Sequence, residues 1–241
     1  MPSLHIRDPI RLSEEEIEAI EKVSMRSLFQ AAVDFGFDAY DYFYQSSDEV
    51  QNIAEDISRE MMDKIGGYRI DERILGNVDY RKARYVILPD LQVRQALFVE
   101  SKAEKDASSA TLQMSETSMI INQERAGQVH NVAGQIPKVA MPRGLAHLTT
   151  TLVAHFLYED HESNHILKTL TMAALPNGGL QQRYNPNTDD TIWKAGWNAP
   201  KLGETFRVRL AFDRLEAKSA WRVQRIAYEV GSKQIGGEWA E

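Results

Sequence analysis

The stretch GNVDYRKARYVILPDLQVRQALFVESKAEK, residues 76–105, decides the fold of this chain. It contains two runs rich in β-branched and aromatic residues, VDYRKARYVI and LQVRQALFVE, and this composition is typical of strands. The runs meet at LPDL, where proline and aspartate favour a turn. The stretch therefore predicts a β-hairpin whose centre lies between Pro89 and Asp90.

The hairpin distinguishes between two candidate acidic residues, Asp79 and Asp90. A centre between Pro89 and Asp90 gives paired residues whose numbers sum to about 179, so Asp79 is predicted to lie opposite Glu100. Asp90 is at the turn, about 33 Å from Glu100 along a strand that rises ~3.3 Å per residue. Asp90 is therefore too far away to share a metal ion with Glu100.

Glu100 and Lys102 are two residues apart, so their side chains point to the same face of the strand. Opposed carboxylates on paired strands lie about 4.5 to 5.5 Å apart and repel each other unless a cation lies between them. Lys102 and a divalent metal ion would supply that compensation, and oxygen ligands without His or Cys suit Mg²⁺. The other Glu-x-Lys, at Glu216 and Lys218, follows no apolar strand and is interpreted as solvated surface.

Two helices are predicted before the hairpin. Ser13 and Glu16 have the spacing of a capping box, and apolar residues recur at helical intervals over residues 17–28. A second Ser-x-x-Glu at residues 46–49 precedes another apolar helical face, which is predicted to end at the glycine pair 66–67.

The rest of the chain predicts further strands. They are LTTTLVAHFLY (148–158), HILKTLTMAAL (165–175), TFRVRLAF and WRVQRIAYEV. The polar stretch 103–140 is predicted to form a helix or loops over one face rather than core. Helices first and antiparallel-capable strands later predict a mixed α+β fold, with a central mixed β-sheet flanked by helices.

Length and composition set further bounds. The 241 residues, 43% of them apolar, are enough for a substantial core, and we expect one domain over residues 1–241. The chain has no cysteine, which excludes disulfides, thiolate nucleophiles and Cys-ligated zinc. No apolar run approaches the ~20 residues of a membrane span, and the N-terminus does not resemble a secretory signal. These features predict a cytoplasmic protein without a membrane partner.

The charge is unevenly distributed along the chain. A net charge of -7 argues, taken alone, against a polyanionic partner. Residues 1–72 hold 7 Lys and Arg against 17 Asp and Glu, whereas residues 168–225 hold 10 against 5. Such asymmetry is compatible with a basic cleft on an acidic protein, and also with plain solvated surface.

At Asp79, Glu100 and Lys102 the sequence resembles the PD-(D/E)xK nuclease superfamily. More closely, it resembles the SfiI-type family of type II restriction endonucleases, from about residue 13 to residue 228. The blocks that carry the similarity are NIAEDIS, GNVDYRKARY, LFVESKAEK, LVAHFLYE, LQQRYNPNTD and RVRLAFDRLEAKSAWRVQ. The similarity implies a restriction-endonuclease-like core in a prokaryotic protein, and Mg²⁺-dependent hydrolysis of both strands of duplex DNA.

The resemblance also implies roles for individual residues. Asp79 and Glu100 would be metal ligands, and Lys102 would position or activate the attacking water. Glu55, in the second predicted helix, would hold a metal-bound water or a second ion, or is simply an exposed helical acid. Asp90, although preceded by proline, does not match the catalytic aspartate of the family.

Recognition of the DNA sequence is predicted from a pair of arginines. Arg207 and Arg209 are two apart in FRVRL and project from one exposed strand face, and the resemblance favours contacts to the G·C pairs of an interrupted palindrome. Further candidates for groove or phosphate contacts are Arg183, Tyr184, Asn185, Lys194 and Lys201. A palindromic site predicts a homodimer, and the resemblance extends this to dimers paired into a tetramer.

Two alternative functions remain open on the sequence. HESNH, His161 to His165, matches the zinc-metallopeptidase pattern H-E-x-x-H with Glu162 as the base, but this pattern functions only on a helix. The stretch instead looks like a connection between two strands. The other alternative is a sequence-specific DNA-binding protein without catalytic activity.

Overall fold

The structure is a computed structural model that describes residues 6–65, 68–69, 83–88, 91–195, 206–231 and 233–241. The helices are α1 (Glu14–Phe35), α2 (Asp38–Gln45), α3 (Val50–Ile65), α4 (Gln181–Tyr184) and α5 (Phe212–Lys218). The strands are β1 (Tyr68–Arg69), β2 (Ala83–Leu88), β3 (Val93–Glu104), β4 (Ser109–Gln113), β5 (Ile120–Arg125), β6 (Gln128–Ala133), β7 (Val139–Ala140), β8 (His147–His161), β9 (Asn164–Leu175), β10 (Trp193–Ala195), β11 (Arg207–Ala211), β12 (Val223–Glu229) and β13 (Gln234–Gly236). Within these ranges, no helix combines the length and the apolar character that crossing a bilayer requires.

A central mixed sheet organises the molecule. Its described strands lie in the order β1-β2-β3-β8-β9-β12-β13, with β7 also paired to β8. β3 and β8 run parallel, whereas the other described pairs of this sheet are antiparallel. The predicted mixed α+β fold with a mixed central sheet is therefore confirmed.

Two apolar cores lie on the two faces of this sheet. On one face, α1, α2 and α3 pack side chains such as Phe43 and Ile53 against Leu97 of β3 and Leu152 of β8. On the other face, a smaller antiparallel sheet with the order β10-β11-β4 packs Val208 and its neighbours against the central sheet. The central sheet is thus covered by α1, α2 and α3 on one side and by the small sheet together with α5 on the other.

The predicted hairpin is confirmed, but its register is not. β2 and β3 are antiparallel and are joined by residues 89–92. The pairing of Leu88 with Val93 puts the centre of the turn one residue later than predicted, so partners are displaced by two positions along β2. Leu91 and Gln92, which were predicted to begin the second strand, belong to the turn instead, and Gln92 has a left-handed backbone with φ 51°. The described pairing ends at Ala83 with Phe98, so the predicted opposition of Asp79 to Glu100 lies outside the described residues.

The helix starts were predicted from capping patterns, and one of the two is confirmed. Ser13 Oγ accepts a hydrogen bond from Glu16 N at 3.3 Å, and Glu16 Oε2 accepts from Ser13 N at 2.8 Å, so α1 begins with a capping box. Ser46 Oγ accepts instead from Asp48 N at 3.2 Å, within the connection between α2 and α3. α2 was not predicted, because its eight aromatic-rich residues are too few to show a helical period.

The prediction of a helix or loops for residues 103–140 is wrong. This stretch contains β4 and the hairpin of β5 and β6, and Ala110, Leu112 and Ile121 are buried in the core. The strands are only five or six residues long, and their apolar residues stand among many polar ones. Tertiary packing, rather than local pattern, makes these segments strands.

A fully buried ion pair fixes α1 to the end of the central sheet. Arg222 Nη2 lies 2.7 Å from Glu21 Oε2, and neither side chain is exposed to solvent. Glu21 Oε1 also accepts a hydrogen bond from Asn177 N at 2.7 Å, and the guanidinium lies over the rings of Tyr184 and Trp221. Burial raises the pKa of Glu21 above its ordinary value, although Arg222 opposes this shift. Each charge therefore depends on the other for its stability inside the protein.

We predict that Arg222→Met lowers the free energy of unfolding by about 3 to 5 kcal/mol, because it leaves the Glu21 carboxylate buried without its cation. Urea denaturation at pH 8 measures this loss. The double variant Glu21→Met, Arg222→Met should recover most of it, since no uncompensated charge remains. Arg225→Ala, which breaks the exposed pair with Glu216, is the matched control and should cost less than about 1 kcal/mol. A loss for Arg222→Met as small as that of the control would contradict the prediction.

Candidate active site

The Glu-x-Lys of β3 lies on the face of the central sheet that is turned away from the helices. Side chains alternate along a strand. Val99 packs in the helical core, and Ser101 Oγ donates to Ser58 Oγ of α3 at 2.7 Å. Glu100 and Lys102 therefore point to the side of the small sheet, on one face, as predicted from their spacing.

Lys102 is held between two carboxylates. Its Nζ lies 2.9 Å from Glu100 Oε1 and 3.0 Å from Glu116 Oε1. Burial works against the charge of Lys102, but Glu116 and Glu100 outweigh it and raise the pKa of the ammonium above its ordinary value. Burial likewise raises the pKa of Glu116 to about 7, against the attraction of Lys102. The result is a fixed cation beside two carboxylates, of which Glu116 is the more deeply enclosed.

Glu116 was not among the predicted site residues. It ends a single 3-10 turn, Met114–Glu116, that follows β4 directly. Glu116 Oε2 accepts a hydrogen bond from Gln113 N at 3.0 Å, and the Gln113 side chain accepts one from Glu116 N, which makes a capping box. The Gln-x-x-Glu spacing of QMSE is the sequence signal that could have located this turn. Nothing in the sequence shows that its acid reaches Lys102.

Glu55 lies beside the outer edge of β3. One turn before it on α3, Gln51 Nε2 donates to Ser101 O at 2.9 Å, and Gln51 Oε1 accepts from Ala103 N at 3.4 Å. The Gln51 amide is also 3.3 Å from Glu55 Oε1. Gln51 thus satisfies the backbone of β3 beyond the described pairing with β2, and it joins Glu55 to the strand segment that carries the Glu-x-Lys.

The donor atoms of this face fit a hard divalent cation. Asp79, the other predicted metal ligand, lies outside the described residues. Within the described ranges no three His, Cys, Asp or Glu side chains form a cluster that could hold a metal. Glu100 supplies a carboxylate whose side chain is 22% exposed and therefore accessible to an ion. Carboxylate oxygens are the ligands that Mg²⁺ prefers, so the residues present suit such an ion.

The charged face of β3 continues past Lys102 to Glu104. The Glu104 carboxylate lies 3.7 Å from His155 Nε2 and 3.6 Å from Arg209 Nη2, and it accepts a hydrogen bond from Thr111 N at 3.2 Å. Burial opposes ionisation of Glu104, but these three partners outweigh it and lower its pKa. Glu104 therefore connects the strand of the candidate site to β4 and β11 of the small sheet.

The small sheet has one apolar face and one cationic face. Val208 and Leu210 are buried in the core, which confirms the predicted alternation along β11. Arg207 and Arg209 occupy the other face, and Lys194 of β10 is paired in register with Arg209. Lys194 also forms an exposed ion pair with Asp213 at 3.2 Å.

The predicted exposure of Arg209 is wrong. Its residue exposure is only 8%, whereas Arg207 is half-buried. Arg209 Nε donates to Ser109 Oγ at 2.7 Å, and Nη2 donates to Asp106 Oδ2 at 2.6 Å. Asp106 lies three residues before β4, the partner strand of β11, but about a hundred residues before Arg209 in sequence. The alternation of β11 alone therefore cannot predict this contact.

Two of the other predicted DNA contacts are part of the protein interior. Tyr184 is 1% exposed and donates its hydroxyl to Glu18, and Asn185 is fully buried with Nδ2 donating to Ile120 O at 2.6 Å. Contacts by these two side chains to a groove or phosphate do not fit this structure. Arg183 is exposed and paired with Glu18. Lys201 lies outside the described residues.

The H-E-x-x-H pattern does not form a zinc site of the peptidase kind. His161 is the last residue of β8 and pairs with Asn164, and His165 lies in β9. Glu162 is in the turn between them with a left-handed backbone, φ 54°. The two histidines are therefore on opposite strands of a hairpin rather than one helical turn apart, as that chemistry requires. The zinc-metallopeptidase alternative is contradicted.

A mixed sheet with helices on one face and a Glu-x-Lys on its central parallel strand defines the class of protein: the restriction-endonuclease fold. The crystal structure of restriction endonuclease BglI bound to its DNA recognition sequence has this fold, with a TM-score of 0.71 at 14% identity over 88% of this chain and 91% of that one. At this identity the likeness concerns the fold alone.

The family follows from more extensive similarity. The sequence model of the family described as "Type II restriction enzyme SfiI" matches residues 17–226. The type II restriction enzyme SfiI of Streptomyces fimbriatus is 32% identical over 250 residues, covering 98% of this chain and 93% of that enzyme. The crystal structure of tetrameric restriction endonuclease SfiI bound to cognate DNA superimposes with a TM-score of 0.86 at 30% identity, again over 98% and 93% of the two chains. The chain belongs to the SfiI family and is a type II site-specific deoxyribonuclease, an enzyme class that usually needs a divalent metal ion.

We predict that Asn185→Ala lowers the free energy of unfolding by about 1 to 3 kcal/mol, because it removes the buried hydrogen bond from Nδ2 and leaves Ile120 O with fewer donors. Thermal or urea denaturation measures the change. Gln182→Ala, an exposed change in the same short helix, is the control and should stay within about 0.5 kcal/mol of the parent. Equal stability of the two variants would argue against an interior role for Asn185.

Proposed function

We propose that this enzyme hydrolyses both strands of duplex DNA with Mg²⁺, at a GC-rich palindrome interrupted by unspecified base pairs. The catalytic part of this proposal is supported by the position of Lys102, which lies on the same face of β3 as Glu100 and is held between two carboxylates. Membership of the SfiI family and the similarity to an enzyme crystallised on cognate DNA support the choice of duplex DNA as substrate.

Asp79 and Glu100 are proposed to hold the metal ion. The chemistry that such an ion supplies is stabilisation of charge at the scissile phosphate and a lower pKa of the attacking water. The oxygen-only donor set favours Mg²⁺ over softer metals. Glu55, joined to β3 through Gln51, is proposed to hold a water at the edge of the same site.

Lys102 is proposed to act directly on the substrate. Its ammonium is a compact cation with three donors, and Glu100 and Glu116 occupy it in the structure described. From this position it would donate to a phosphate oxygen and orient the attacking water. The raised pKa keeps the group protonated, so we assign it positioning and charge stabilisation rather than proton abstraction.

The cationic face of the small sheet is proposed to read the DNA. Arg207 would contact a guanine in the major groove, and Arg209, whose Nε and Nη2 donate to Ser109 Oγ and Asp106 Oδ2, is the second proposed contact of this face. Arg183 is an exposed cation and Lys194 is a partly exposed one, and both are suited to phosphates. Lys201 is proposed for the same role.

A palindromic site is matched by a protein with twofold symmetry. We propose that the chain, as a single domain over residues 1–241, forms a homodimer and that two dimers pair into a tetramer engaging two sites. The tetrameric state of the SfiI enzyme in its crystal structure supports this proposal. A cytoplasmic location in a prokaryotic cell would place such an enzyme with the DNA it cleaves.

Asp79→Asn and Lys102→Ala should each lower the single-turnover rate of DNA cleavage by at least about 100-fold, because each removes a group from the transition state. The rate is measured with excess enzyme, Mg²⁺ and a duplex that the parent enzyme cleaves. Asp90→Asn is the matched control and should stay within about 3-fold of the parent, since the sequence predicts Asp90 at the turn, about 33 Å from Glu100. Near-parental cleavage by either active-site variant would refute the assignment.

Arg207→Ala should weaken binding of the cognate duplex by about 10- to 100-fold, the range expected for loss of one bidentate guanine contact. Binding of a non-cognate duplex should change by less than about 3-fold. Fluorescence anisotropy at fixed salt measures both constants, with Arg225→Ala as the control on a strand outside the small sheet. Equal losses on the two duplexes would show that Arg207 contacts phosphate instead.

A further inference from the structure

Glu116 makes contacts that none of the roles assigned above uses. Both of its oxygens have fixed partners: Oε1 accepts from Lys102 Nζ at 3.0 Å, and Oε2 accepts from Gln113 N at 3.0 Å. The side chain is only 11% exposed, so water provides little alternative solvation. The carboxylate is thus anchored by its own turn at one oxygen and presents the other to Lys102.

The flexible side chain of a lysine needs a fixed partner if its ammonium is to stay at one position. Its four-carbon chain has about 2 kcal/mol of rotamer entropy. Glu100 is the other contact of the ammonium, but Glu100 is also the carboxylate proposed to serve as a metal ligand. Glu116 is the partner of Lys102 that has no proposed role as a metal ligand.

We propose that Glu116 is a positioning residue, which holds the ammonium of Lys102 at the site of DNA hydrolysis through a carboxylate fixed by the 113–116 turn. This inference rests on the proposed function and extends it by one residue outside the Asp and Glu-x-Lys pattern. The turn also follows β4, where Gln113 is paired in register with Arg207 of β11. Gln113, which caps the turn of Glu116, is therefore also the strand partner of Arg207, a residue proposed to read bases.

The informative substitution is Glu116→Gln. Glutamine has nearly the same size, but a donating NH2 replaces one of the two carboxylate oxygens, so either Lys102 Nζ or Gln113 N loses the oxygen that accepts from it. The matched control is Glu216→Gln, in the second Glu-x-Lys of the chain, where the carboxylate pairs with Arg225 at 2.8 Å. Both changes remove one negative charge, and only the first touches Lys102.

Glu116→Gln should lower the single-turnover cleavage rate by about 10- to 100-fold, the effect of losing a hydrogen bond to a charged group. The dissociation constant for the same duplex, measured without a divalent metal ion, should stay within about 3-fold. Glu216→Gln should leave both unchanged. A Glu116→Gln rate within about 3-fold of the parent would overturn the proposal, as would equal loss of rate and binding with a large drop in melting temperature.

A second readout does not depend on cleavage. In the metal-free protein, competitive acetylation with acetic anhydride, followed by mass spectrometry, reports the reactivity of each lysine. Lys102 should react several-fold faster in Glu116→Gln than in the parent, while Lys218, which pairs with Asp190, should not change. Unchanged labelling of Lys102 would contradict the anchoring. If the parent enzyme cleaves no DNA, the proposed function fails, whereas a cleaving parent with an equally active and equally labelled variant removes only the role of Glu116.

Discussion

The parallel pairing of β3 with β8 is the constraint on which the molecule depends. It places β3 inside the sheet, so that side chains alternate between a helical core and the face with Glu100 and Lys102. Helices cover one side because Leu97 and Val99 are apolar, and the small sheet approaches the other side because β4 follows β3 after a short connection. The site is therefore located by the same alternation that builds the core. No further structural element is needed to put Glu100 and Lys102 on one face.

Buried charged side chains in this structure are paired with opposite charges. A buried ammonium or carboxylate is costly without a partner, and each described case has one. Lys102 lies between Glu100 and Glu116, Arg209 lies against Asp106, and Arg222 lies against Glu21. The Arg222 pair holds the fold together, far from the Glu-x-Lys in the chain. Lys102 and Arg209 lie on the charged side of the central sheet, where the phosphates of a bound polyanion could replace their carboxylate partners.

The sequence predicts what depends on local pattern. Strand composition and the LPDL turn predict the hairpin of β2 and β3, the capping box predicts the start of α1, and the spacing of Glu100 and Lys102 predicts their common face. It does not predict what depends on contacts between distant segments. The turn extends to Gln92, whose backbone is left-handed, and the strand partners are displaced by two positions along β2. Packing between distant segments forms strands within residues 103–140. Buried Arg209 donates to Asp106, about a hundred positions earlier in the chain. Glu116 contacts Lys102 only because β4 and the turn after it fold back over β3.

We propose the charged face of β3 as a metal-dependent site for cutting duplex DNA at one recognition sequence. The most direct measurement is a digest of phage or genomic DNA by the purified protein with Mg²⁺, followed by sequencing of the fragment ends. The account predicts discrete fragments whose ends align at fixed positions within a single interrupted, GC-rich palindrome, and no cleavage when EDTA replaces the metal. Intact DNA that is bound but not cut, or fragment ends scattered without a common sequence, would contradict it.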